Sequence, residues 1–238
     1  MRAPSVERIV RSTMSPVLTR NGAFRDRRDR FGLLLGATMA AFAIEGIATP
    51  RVWDQVVVTA LFAGTLLLAL WAADAKPIIV RAAAVIALAL LAISVAEAAS
   101  GSVDNAATRI ANLMLVLLAP PAVVIGVLRS IRARKKVTIT AVLGVLCLYI
   151  LLGLFFAQLY GAIDRVSGHF FANGVQATPS DCVYFSFTTL ATIGYGDITA
   201  SGNLGHTLAV SEGLVGQIYL VTIVSLFVGN LGRARVER

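Results

Sequence analysis

Charge is scarce: only 14% of the 238 residues are Asp, Glu, Lys or Arg, against about 25% in soluble globular domains. That shortage excludes an ordinary water-soluble domain, and 57% hydrophobic residues with a mean hydropathy of +0.79 point the same way. Cysteine is scarcer still. Cys147 lies in an apolar block and Cys182 in a later loop, so they offer neither a disulfide framework nor a metal-ligand spacing. No H-E-x-x-H or G-x-S-x-G motif occurs, and no cluster of histidines with acids, so a membrane enzyme has no candidate centre and no catalytic residue is assigned. No apolar core follows Arg2, Arg8 and Arg11 until Phe31, which excludes a secretory leader and leaves the first thirty residues expected in the mature chain. Internal repeats and low-complexity tracts are lacking. Lysine is rare too: three lysines against eighteen arginines, with abundant alanine, suggest a GC-rich bacterial source.

What the chain has instead is long uncharged blocks. Gln55 to Ala73, Ile110 to Leu128, Val137 to Ile163 and Gly213 to Gly232 contain no charged side chain. A helix needs about 20 apolar residues to cross about 30 Å of hydrocarbon. Six segments qualify as spans: Phe31 to Thr49, Val56 to Ala73, Pro77 to Ala99, Ile110 to Leu128, Val137 to Tyr160 and Leu204 to Gly229. Glu45 and Glu97 fall near the outer ends of the first and third, where snorkelling reduces the penalty for a charge. Basic residues set the orientation. Eight arginines precede the first span, and alternate connections together hold eighteen of the twenty-one Lys and Arg residues, so both termini are expected in the cytoplasm. The net charge of +8 is thus a topology signal, with anionic lipid contact at Arg129 to Lys136 and at the N-terminal arginines, and no nucleic acid is expected as a partner.

Between the fifth and sixth spans lies an external excursion of a different style. Thr178-Pro179-Ser180-Asp181 announces a helix start. The apolar stretch CVYFSFTTLAT after it is too short to span and too apolar for an exposed loop, which fits a re-entrant helix covered by protein. Then comes Thr192-Ile193-Gly194-Tyr195-Gly196-Asp197. This run resembles the selectivity-filter signature of the tetrameric potassium channel family, whose carbonyl rings replace the hydration shell of K⁺. Glycine at Gly194 and Gly196 suits a backbone that must aim successive carbonyls at one axis; an ordinary Gly-rich turn would leave the short apolar helix before it unexplained.

The resemblance implies that the carbonyls of Thr192, Ile193, Gly194 and Tyr195, with the Thr192 hydroxyl, line four stacked K⁺ sites, with Gly196 in the same strand and the Tyr195 ring turned away from the axis. It makes Tyr184-Phe185-Ser186-Phe187-Thr188-Thr189-Leu190 the pore helix, in which Tyr184, Phe185, Thr188 and Thr189 support the filter and whose C-terminal dipole favours a cation. Asp197 falls at the outer mouth, where it either joins a ring of carboxylates or faces water as a loop acid. Ala191 stands where the family usually has Thr, and Ile193 where it often has Val. In the last span, Gly216 falls at the family's gating hinge, and hinge and close helix packing are both open readings. Glu212 reads either as a filter-coupled proton site or as an acceptor for pore-helix hydroxyls. His169 and His206 are external and uncommitted.

Six spans with the filter between the last two resemble the voltage-gated layout, but the fourth span lacks its arginines. Ile110 to Leu128 is uncharged and reads as interrupted by Pro120-Pro121. One charge crossing 100 mV supplies about 2.3 kcal/mol, so steep voltage dependence is not expected. The few residues after Gly229 are expected to leave no room for a nucleotide-binding cytoplasmic domain. The expectation is an all-α polytopic membrane protein with six transmembrane helices, a re-entrant pore helix and a fourfold pore. Residues 1–30 form a basic cytoplasmic segment, 31–136 a four-span voltage-sensor-like bundle, 137–232 the pore module and 233–238 the tail. As a homotetramer in the plasma membrane it would conduct K⁺ passively, with permeant K⁺ and no cofactor. The competing readings are a weakly selective cation channel, and a membrane enzyme or scaffold subunit.

Overall fold

The computed structural model describes residues 29–47, 52–101, 106–134, 139–174 and 177–236. Among them the chain is helical: α1 Asp29–Ile47, α2 Val52–Ala72, α3 Pro77–Ala99, α4 Ala106–Arg134, α5 Ile139–Ser167, α6 Pro179–Leu190 and α7 Gly202–Val236, with one short 3-10 turn at Ala172–Gly174. The first five are long and apolar enough to cross a membrane. The N-terminal arginines before Asp29, and Lys135 and Lys136 between α4 and α5, lie outside the described residues.

Helix ends follow local chemistry. Pro77 opens α3 at a position where its missing N–H costs nothing, and Gly101, at φ 75°, follows its end. α2 closes with Asp74 at φ 49°: Ala75 N–H donates to Leu70 O (3.0 Å) and Asp74 N–H to Trp71 O (3.2 Å), the Schellman pattern with aspartate in glycine's usual place. Arg30 holds that aspartate at 3.0 Å while its guanidinium lies 4.3 Å over the Trp71 ring.

The fourth span corrects an expectation. α4 runs unbroken through Pro120 and Pro121. The two prolines take intrahelical partners from the carbonyls of Val116 and Leu117, yet Ala119, Ala122 and Val123 on either side are buried, so tertiary packing against α2 and α5 holds the helix through the lesion. α5 also extends beyond Tyr160 to Ser167, because an outer helix need not stop where its apolar run does.

α4 and α5 are joined by a short connection and pack along each other within one chain. Glycines let the neighbours close on α5: Val127 of α4 lies over Gly144, the Phe187 ring of α6 over Gly153, and the Arg109 guanidinium of α4 over Gly161. α6 is inserted between α5 and α7. α1 reaches the same place, since Ser180 Oγ donates to Gly46 O at 2.7 Å and Phe42 meets Phe187 at 4.6 Å between centroids. The four-helix bundle thus rests on α5 and α6 of its own chain.

Candidate functional site

α6 is fixed at its start by its own sequence. Thr178 Oγ1 accepts from Asp181 N–H at 3.2 Å and donates to the Asp181 carboxylate at 2.6 Å, a reciprocal cap three residues apart with Pro179 in the first turn. Arg109, buried to 3% exposure, donates to Ala177 O at 3.2 Å just before the cap. Phe185 points into an aromatic cluster, with Tyr160 at 5.3 Å and Phe171 at 5.3 Å, and Phe170 stacks on Tyr160 at 4.6 Å. Ser186 Oγ lies 2.7 Å from Gly153 O, one of two acceptors within reach of its single hydroxyl proton. Twelve residues make α6 only about 18 Å long, so it cannot cross a membrane.

The end of α6 organises the segment after it. A helix leaves its last carbonyls without partners, and here the following backbone supplies them. Thr192 N–H donates to Thr189 O (2.9 Å), and Ile193 N–H (2.8 Å) and Gly194 N–H (3.2 Å) both donate to Thr188 O. Positive φ recurs at every second residue, 56° at Thr192, 54° at Gly194 and 81° at Gly196. A positive φ at every second residue suits a backbone that turns consecutive N–H groups toward one helix end. The carbonyls of Thr192, Ile193, Gly194 and Tyr195 accept no hydrogen bond among the described residues. The run is exposed: Ile193 is 54% and Tyr195 68% exposed.

Tyr184 braces the far end. Its hydroxyl donates to the Asp197 carboxylate at 2.8 Å, and its ring stacks on Tyr195 at 6.1 Å with an 8° tilt. The bond to Asp197 raises the Tyr184 phenol above its ordinary pKa, because the carboxylate favours the protonated donor. Behind this run, Ser201 N–H donates to Phe170 O (2.8 Å) and Ala172 N–H to Thr199 O (2.9 Å), tying the return strand to the α5–α6 loop. His206 contacts Ala200 O at 3.0 Å, and exposed His169 sits at φ 56°.

α7 meets α6 through three consecutive features. Glu212 is 0% exposed and accepts from Tyr160 O–H of α5 (2.6 Å) and Ser186 O–H of α6 (2.5 Å). Its carboxylate therefore joins three helices, and the hydroxyl it meets on α6 is that of Ser186. Gly216 faces Leu190, whose carbonyl a side chain at this position would meet. Gln217 Nε2 donates to Thr192 Oγ1 at 3.1 Å.

Glu45 departs from its expectation. It is buried and accepts from Gln158 of α5 instead of snorkelling outward, while Glu97 accepts from Thr108. Sequence reasoning also missed Tyr160 and Gln217, and did not single out Ser186 among the hydroxyls of its stretch. A carboxylate on a span signals that a partner must exist, but the partners sit 52 and 26 residues away. Gln217 could have been flagged as a second polar residue beside Gly216.

Comparison with known families reaches this part of the chain. Residues 144–233, which contain most of α5 and all of α6 and the 192–197 run, match the family model described as ion channel. The match spans 90 of the 238 residues and supports an ion channel of the membrane. No curated protein and no solved structure matches the chain.

Proposed function

We propose that the chain is one subunit of a potassium-selective channel, with α7 as sixth span, α6 as re-entrant pore helix and residues 192–196 as filter. The observation that carries this reading is the division of the backbone after α6. The N–H groups of Thr192, Ile193 and Gly194 bond back to the helix, whereas the carbonyls from Thr192 to Tyr195 accept no hydrogen bond among the described residues. A row of carbonyl oxygens is the ligand set that replaces water around K⁺, and the ion-channel match includes these residues.

One chain supplies one strand, so the reading requires a homotetramer around a common axis. Exposed apolar residues along α7, among them Leu214, Ile218 and Val221, suit contact with copies of the chain or with lipid. Conduction is passive, needs no cofactor and no catalytic residue, and is not steeply voltage-driven, because α4 carries no charge from Ile110 to Leu128. Asp197 stands at the outer mouth, and both termini lie in the cytoplasm of a plasma membrane.

The test is flux from the purified full chain in liposomes, with K⁺ or Na⁺ as the permeant ion and Gly194→Asp as control. Gly194 has φ 54°, which a side chain strains. K⁺-selective flux that disappears in the variant is expected; equal Na⁺ and K⁺ flux would instead establish a weakly selective cation channel. The mass of the detergent-solubilised protein distinguishes a tetramer of about 100 kDa, four times 25.1 kDa, from a monomeric enzyme or scaffold.

A further inference from the structure

A groove of about 450 Å³ runs between α2, α3 and α4 in the half of the bundle that the arginine distribution turns to the cytoplasm. Its walls are apolar, with Ile79 and Ile86 of α3 facing Leu118 and Ile125 of α4, and all four are exposed. At one end the walls stop and two cations begin, Lys76 and Arg129. Arg129 is anchored: its Nη1 donates to Ala73 O (2.7 Å) and Asp74 O (3.1 Å), and its other guanidinium nitrogens bond to nothing among the described residues. Lys76 is exposed, makes no side-chain hydrogen bond or ion pair among the described residues, and stands at the start of α3, where no side chain caps the first turn. Asp74, the acid two residues before Lys76, is held by Arg30 at 3.0 Å.

We propose that this groove binds one anionic phospholipid of the cytoplasmic leaflet, the headgroup phosphate between Lys76 and Arg129 and one acyl chain along α3 and α4. Charge complementarity selects this occupant. The chain's own N-terminal segment, with seven arginines and two acids before Asp29, is repelled by the same two cations, and a zwitterionic lipid gains less from them. Basic pockets between transmembrane helices on the cytoplasmic side are suited to anionic headgroups, and the acyl chain trades one hydrocarbon surrounding for another, so the headgroup charge decides the selectivity. The inference does not depend on potassium selectivity.

The full chain in mild detergent is incubated with equal amounts of dioleoyl phosphatidylglycerol and phosphatidylcholine, and the lipids retained are counted by native mass spectrometry. Wild type is compared with Lys76→Gln and Ala82→Trp. Both positions are exposed, and Ala82 lines the groove. Wild type retains phosphatidylglycerol in preference. Lys76→Gln lowers that preference about fivefold, corresponding to about 1 kcal/mol per cation near an anionic headgroup. Ala82→Trp lowers retention of both lipids by filling the chain's place. Equal retention of the two lipids by wild type, or an undiminished preference in Lys76→Gln, overturns the proposal whatever Ala82→Trp does.

Discussion

Gly216 of α7 passes so close to Leu190, the last residue of α6, that a methyl group on it would overlap the Leu190 carbonyl oxygen and stand 3.2 Å from the carbonyl carbon. The obstruction is backbone at the point where α6 hands over to residues 192–196, so it cannot move aside without disturbing them. Gly216→Ala is expected to destabilise the protein by about 1–3 kcal/mol, the usual cost of overpacking. Gly213→Ala is the control: its methyl would lie 3.8 Å from Thr189 O, and alanine gains up to about 1 kcal/mol over glycine within a helix. Thermal unfolding in detergent should lower the midpoint for the first variant and leave or raise it for the second. A wild-type midpoint in Gly216→Ala would mean that the two helices stand further apart.

A second prediction concerns Glu212, which holds Tyr160 and Ser186 at once. Glu212→Ala leaves the buried Tyr160 hydroxyl without its acceptor, at about 1–3 kcal/mol for an unsatisfied group, while Ser186 can turn to Gly153 O at 2.7 Å. Glu212→Gln keeps the shape and one carbonyl acceptor, and hydroxyls can turn to accept from its amide. Stability should therefore fall in the order wild type, Gln, Ala, read from the same unfolding midpoints. Equal losses in the two variants would point to the charge itself, not the hydrogen bonds.

Much of this was legible in the sequence, for physical reasons. Uncharged blocks and arginine-rich connections report directly on the bilayer as solvent, and Thr178-Pro179-Ser180-Asp181 encodes its cap within four residues. The positive φ at Gly194 and Gly196 follows from residue type. That at Thr192 does not, because a threonine reaches it only when the N–H groups around it are held by Thr188 and Thr189. Pro120-Pro121 misled because propensity is local while the packing of Ala119 and Val123 is not. Glu45 misled because its partner, Gln158, comes from a helix more than a hundred residues later. Contacts across α1, α5, α6 and α7 have no one-dimensional signature beyond a polar residue awaiting company.

Tyr184 gives a prediction with a pH sign. Its phenol pKa is raised by the hydrogen bond to Asp197, so the contribution of this contact is fully present below the ordinary phenol value and is lost as pH rises through the raised one. Subtracting the alkaline absorbance titration of Tyr184→Phe from that of wild type should isolate one phenol ionising above the ordinary tyrosine range. In Asp197→Asn that phenol should titrate earlier. A difference curve centred at the ordinary value would show that the Tyr184–Asp197 bond is not populated in solution.

The hydrogen bond from Gln217 to Thr192 tests how α7 acts on the proposed filter. Gln217 Nε2 lies 3.1 Å from Thr192 Oγ1, so its N–H occupies a lone pair that a potassium ion at the inner end of the filter would otherwise use. Gln217→Leu removes the donor with little change in volume and frees the hydroxyl oxygen. A hydrogen bond is worth about 1 kcal/mol net, a factor of about five in a binding constant. The half-saturating K⁺ concentration for flux from liposomes should therefore fall up to about fivefold, with the tetramer mass unchanged. Thr192→Val removes the acceptor itself, so adding Gln217→Leu to it should shift nothing further. If Gln217→Leu lowers the half-saturating concentration equally in both backgrounds, the effect does not pass through Thr192, and the coupling of α7 to the filter must run through the Gly216–Leu190 contact instead.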